Sequence, residues 1–141
     1  MTTTLDIHLL PVSLSLSKEQ SDRSALYASE PPRRCARGRG LDRLVLYLVM
    51  TGDAILPPGK PNELLAELGK RYYATPGSVT SALKTLAEEL NQILLERNRM
   101  AAEKGRQGLG LLSQWVMRDE QFYLAQSGAV QAYWITEKGA Q

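Results

Sequence analysis

The sequence predicts an α+β domain, with two consecutive helices set between groups of strands rather than alternating with them. Three observations carry this. Residues 9–17 alternate Val12, Leu14 and Leu16 with Ser13, Ser15 and Ser17, the two-residue period of a strand that turns one face to a core. Further on, Val79, Leu83, Leu86, Leu90, Ile93 and Leu94 recur at the spacing that lines one face of a helix. After residue 108 the chain returns to short β-type runs, LGLLSQWVM and FYLAQ, joined by the turn-forming RDEQ.

Each remaining element has its own signal. Residues 29–40, SEPPRRCARGRG, combine prolines, glycines and arginines that deny a helix and a packed face, which predicts a flexible surface loop. Residues 44–50, LVLYLVM, are a short apolar run ended by Thr51, Gly52 and Asp53, as expected of a strand covered on both faces. Pro61 suits the start of a helix, where its missing N–H would be unpaired anyway. Leu64 or Leu65, Leu68 and Tyr72 then give that helix an apolar stripe to about residue 73. Thr75 or Ser78 can cap the second helix, which runs to about residue 100 before Lys104 and Gly105 break it. Residues 130–135, VQAYWI, read as a strand after the hairpin, giving the order β-β-α-α-β-β-β. Trp115, Tyr133 and Trp134 are expected to pack in the core or between sheets.

Composition bounds the function. A chain of 141 residues that is 43% apolar makes one domain. With 17 Lys plus Arg against 15 Asp plus Glu, its overall field attracts neither nucleic acid nor an anionic membrane. Cys35 is the single cysteine, so no internal disulfide and no cysteine-rich zinc site is available. No basic n-region with a long apolar stretch opens the chain, and no run reaches the ~18 apolar residues that cross a bilayer. A cytoplasmic setting with no membrane partner is the expectation.

The second half of the chain resembles a known family. Leu111, Leu112, Arg118, Phe122, Tyr123, Leu124, Ala125, Gly128, Ala132 and Tyr133 fall in register with a hairpin of the PPM-type, metal-dependent protein serine/threonine phosphatases. That hairpin runs roughly G-T-T-L, a strand, a turn near R-G-D, then L-Y-V-A-N-V-G-D-S-R-A-Y-L. Gly110 sits one place from the family's glycine, and the helical stretch from Ala82 and Leu83 to Asn98 is similar to the helix that precedes the hairpin. The resemblance spans roughly residues 10–135 and takes in the N-terminal half of such a domain. It therefore implies a single, partial PPM-like α/β sandwich over residues 1–141, with Mg or Mn as cofactor if the chain is active.

The departures fall where the chemistry should be. In the family the strand resembling residues 44–50 runs into D-G-x-G-G, whose aspartate bridges two metal ions. Here residues 49–54 read VMTGDA, and Asp53 comes two or three positions late, about 7 to 10 Å along a strand. Hard divalent ions need oxygen ligands at fixed positions, which methionine and threonine do not supply in this role. Upstream, the family's R-x-x-N-E-D is matched by QSDRS at residues 20–24, with the lone carboxylate of Asp22 beside Arg23. The family's G-D-S-R acid, hydroxyl and base are replaced by Ala129, Val130 and Gln131.

The sequence thus leads to a degenerate, catalytically inactive phosphatase-like module with no catalytic or cofactor-binding residues, acting by binding protein. Asp22 and Asp53 are the candidate metal ligands for the alternative, an active phosphatase completed by displaced ligands or a second chain. Arg33, Arg34, Arg37 and Arg39 are candidate anion-binding residues for a further alternative, a basic loop that grips nucleic acid. The balanced charge argues against that last reading. Self-association is expected through an unpaired edge strand at residues 130–135.

Overall fold

The computed structural model describes residues 6–10, 14–15, 18–19, 23–54 and 56–140. A short antiparallel pair, β1 (Leu14–Ser15) and β2 (Lys18–Glu19), precedes the main body. That body is a four-stranded antiparallel sheet ordered β3 (Ser24–Ser29), β4 (Arg43–Gly52), β5 (Gly108–Arg118) and β6 (Gln121–Ser127). Between β4 and β5 come two consecutive helices, α1 (Lys60–Ala74) and α2 (Val79–Ala101). A small hairpin, β7 (Ile135–Thr136) with β8 (Gly139–Ala140), ends the described chain. The class is the α+β class that the sequence predicts.

Local chemistry explains the helix boundaries. Pro61 lies in the first turn of α1, and the helix stops at Thr75 because Pro76 forces its predecessor out of the helical region. Ser78 caps α2, its Oγ accepting from the Ser81 N–H at 3.1 Å. At the far end a short 3₁₀ turn over Ala102–Lys104 closes on Gly105, whose φ of 63° is left-handed. Asn98 then clamps the incoming strand: its amide donates to the Gly108 carbonyl and its Oδ1 accepts from the Gly108 N–H, both at 2.8 Å.

Both helices lie on one face of the sheet, α1 over β3 and β4 and α2 over β5 and β6. Leu44, Leu46, Leu48 and Met50 of β4 alternate onto that face with Ala25, Leu112 and Val116, meeting Leu65, Leu68, Tyr72, Leu83, Leu86 and Leu90 in one buried core. The opposite face has no helix layer. Leu26, Tyr47, Val49, Leu111 and Trp115 there are half-buried, and Phe122 and Leu124 are exposed. On the far face Val45 is buried and Tyr47 and Val49 are half-buried, so residues 44–50 are sealed on the helix face and partly covered on the other.

Three further expectations change. Among residues 9–17, only Leu14–Ser15 is a described strand, and positions 11–13 and 16–17 lie outside the described residues. The first long strand among the described residues is β3, S-A-L-Y-A-S, which sequence reasoning missed because its small residues give a faint apolar alternation. Residues 130–135 do not add a strand to the main sheet. Tyr133, Trp134 and Ile135 are 67%, 62% and 77% exposed, so the expected core packing of Tyr133 and Trp134 does not occur. Gly128, at φ 92°, turns the chain off the end of β6 before the segment can continue the ladder. Among the described residues no helix is long and apolar enough to cross a membrane.

Both helices bury one face against the sheet, and in α2 that face holds Leu83, Leu86 and Leu90. Leu86→Ala, at a position with no exposure, should cost about 2 to 5 kcal/mol in urea unfolding, whereas Ile93→Ala, on the partly exposed flank, should cost about 1 kcal/mol or less.

Candidate functional site

Two places in the fold bear on chemistry: the end of β4 and the loop that leads into its start. At the end of β4, Gly52 takes a φ of 90°, and a Cβ there would collide with the Gln107 carbonyl oxygen. Glycine is required, because the turn folds back onto residue 107 through the N–H groups of Asp53 and Ala54, which donate to that carbonyl at 2.9 and 3.2 Å. Asp53 itself is exposed beyond the last strand residue. Met50 is 2% exposed and packs into the helix-side core, so its side chain does not face the turn that carries Asp53. Asp22 lies outside the described residues. Among the described residues, no three His, Cys, Asp or Glu side chains come together in a way that could hold a metal ion.

The loop before β4 is tied to the body of the fold at several points. Arg33, Arg34 and Arg37 are exposed as expected, but Arg39 is fully buried. Its Nε donates to the Thr75 carbonyl at 3.1 Å and its Nη2 to the Ser78 carbonyl at 3.0 Å, which ties the loop to the α1–α2 connection. Its guanidinium carbon lies 4.7 Å from the centre of the Tyr72 ring, and its Nη1 faces Asp42 Oδ2 at 3.5 Å. Arg39 is thus committed inside the fold, and the surface set open to anions is Arg33, Arg34 and Arg37. The loop packs at two more points: Cys35 is partly buried against the core, and the Ala36 N–H donates to the Tyr73 carbonyl at 2.7 Å.

Asp42, also fully buried, is the centre of this cluster. Arg118, from the end of β5, grips both its oxygens, Nε to Oδ1 at 2.5 Å and Nη2 to Oδ2 at 2.9 Å, and also donates from Nη2 to the Gly38 carbonyl at 2.6 Å. The Tyr72 hydroxyl donates to Oδ2 at 2.6 Å, and the Tyr73 hydroxyl donates to the Asp42 carbonyl at 2.7 Å. Such a fork of charge-assisted bonds is what a buried carboxylate requires. The pairing holds the Arg118 guanidinium above its usual pKa, and burial followed by the hydrogen bond to Asp42 pushes the Tyr72 hydroxyl far up.

Comparison of the chain with protein-family models, with curated proteins and with solved structures finds no match. The site is therefore read from its own chemistry. Both oxygens of the buried Asp42 carboxylate and the hydroxyls of Tyr72 and Tyr73 are hydrogen-bonded within the protein, which suits a structural lock better than a catalytic centre. Sequence reasoning missed Asp42, Tyr72 and Arg118. The available signal was an acid three residues after an arginine, immediately before an apolar strand, with a second arginine ending the strand that pairs with it.

The two tyrosines give a pH signature. Burial raises the pKa of Tyr73 as well as Tyr72, whereas an unfolded chain releases tyrosine protons near pH 10. The stability these hydroxyls contribute is therefore complete below about pH 10 and lost as pH rises toward the folded-state values. The melting temperature should fall above about pH 10, and Tyr72→Phe should flatten that fall.

Proposed function

We propose that the chain is a non-catalytic, PPM-like module that works by binding protein through the face of its sheet that carries no helix. The observation that carries the reading is this face, where Leu26, Tyr47, Val49, Leu111, Trp115, Phe122 and Leu124 gather apolar surface from all four strands with helices on the opposite side only. Contiguous apolar patches of this kind mark interaction sites on soluble domains. Trp115 and Phe122, with ring centres 6.4 Å apart, offer the aromatic anchors on which binding energy concentrates.

The resemblance in the hairpin supplies the family half of the proposal. The other half is that no acid cluster able to hold a metal forms around Asp53 among the described residues, whereas phosphoryl transfer by two metals needs several carboxylates converging on one point. A reducing, cytoplasmic compartment suits a chain whose single cysteine lies partly against the core. Magnesium or manganese has a place only if a second chain or displaced ligands complete the acid set around Asp22 and Asp53.

The test is direct. The purified chain should hydrolyse p-nitrophenyl phosphate in manganese no faster than in a metal-free blank. Turnover that rises with manganese and disappears in Asp53→Ala would replace this reading with the active-phosphatase one.

A further inference from the structure

Among the described residues no strand pairs with the outer edge of β6. Its seven residues, Q-F-Y-L-A-Q-S, include no proline and no charge, the devices that natural sheets use to prevent pairing with another chain. In an antiparallel ladder every second residue of such a strand turns its N–H and C=O away from its neighbour, here β5. Beside this edge, on the helix side, lies a groove of about 510 Å3 between α2 and β6. Thr80, Leu83, Lys84 and Ala87 form one wall, Tyr123 and Ala125 the other, and Gln114 reaches it from β5. Gln114 is 1% exposed, and its Oε1 has no hydrogen-bond partner among the described residues. A buried acceptor left unpaired is costly, and this one lines a groove that is open to a ligand.

The chain itself carries a segment that fits. Residues 130–135, V-Q-A-Y-W-I, have the β-branched and aromatic character of a strand and no charge. Yet only Ile135 is in a strand, and Tyr133, Trp134 and Ile135 stand largely in solvent. Within one molecule the segment is led away from the β6 edge: Gly128 packs on Leu111, and Ala129, Val130 and Gln131 line a cavity with Tyr47 and Val49 on the far face of the sheet.

We propose that residues 130–135 of a second copy pair with the free edge of β6 as a fifth strand, and that reciprocal exchange closes a two-fold dimer. The Tyr133 hydroxyl donates to Gln131 Oε1 at 2.8 Å, so these two side chains share one side of the segment. With that side toward the groove, the Gln131 amide supplies the donor that Gln114 lacks, across the small Ala125. The groove's charged side chain, Lys84, meets a neutral amide there. Val130, Ala132 and Trp134 then lie beside Phe122 and Leu124 and extend the apolar face. This names a partner for the protein-binding reading, on which it rests, and it is independent of the metal assay that tests the phosphatase resemblance.

Sedimentation velocity of the full chain over a concentration series should show a monomer–dimer equilibrium. Trp134→Ser combined with Ile135→Ser, both at exposed positions, should weaken it at least about tenfold with the far-ultraviolet circular dichroism unchanged. A synthetic peptide of residues 128–138 added to the unaltered chain should dissociate the dimer. A monomer at every concentration, or a dimer that either treatment leaves intact, overturns the proposal.

Discussion

A single buried carboxylate organises this molecule. Asp42 sits at the entrance to the central strand with no solvent to hold its charge, and moving such a group out of water costs several kcal/mol. Arg118 and Tyr72 offset that cost with three short hydrogen bonds, and Arg39 adds a second positive charge at 3.5 Å. Bonds to charged groups contribute roughly 1.5 to 3 kcal/mol each, so the balance comes out near zero. The cluster therefore does little for stability as a whole. Its contribution is registration: with one partner missing, the remaining charges are stranded, and only one arrangement of loop, helices and sheet avoids that.

The elements so registered are distant in sequence. Arg39 reaches the carbonyls of Thr75 and Ser78 between the two helices, Tyr72 belongs to α1, and Arg118 ends β5. Together they hold both helices to one side of the sheet. The other side follows from this choice. With no helix to cover it, the far face keeps Phe122 and Leu124 in solvent, and β6 remains the last strand of the sheet. The surfaces through which the chain is proposed to act are thus consequences of where its core is closed.

Much of this was legible in the sequence, and what was not has physical reasons. The apolar stripe of α2 and a cap at Thr75 or Ser78 are local signals: Ser78 is the cap, and the stripe is the buried face except at Ile93, which lies on its exposed flank. The hairpin of β5 and β6 is equally local: Asp119 accepts a left-handed φ of 51° in a two-residue turn, as aspartate can. Arg39 misled because a guanidinium among prolines and glycines normally belongs to solvent, and its partners lie at least 33 positions away, apart from Asp42. Residues 130–135 misled in the opposite sense. Their strand character is real, but a strand needs a neighbour, and the turn at Gly128 carries the segment away from the nearest one. The candidate ligands Asp22 and Asp53 were read by analogy with a motif, and the position of Asp53 follows from the tight turn at Gly52 rather than from its own chemistry.

The claim that Asp42 and its partners act as one unit can be measured by a double-mutant cycle. Asp42→Ala, Arg118→Ala and the double variant would be unfolded in urea and their stabilities compared with that of the unaltered chain. Coupled charges should yield an interaction energy of about 1 to 3 kcal/mol, the double variant being less damaged than the sum of the single changes. Additive losses, with a coupling near zero, would contradict the account.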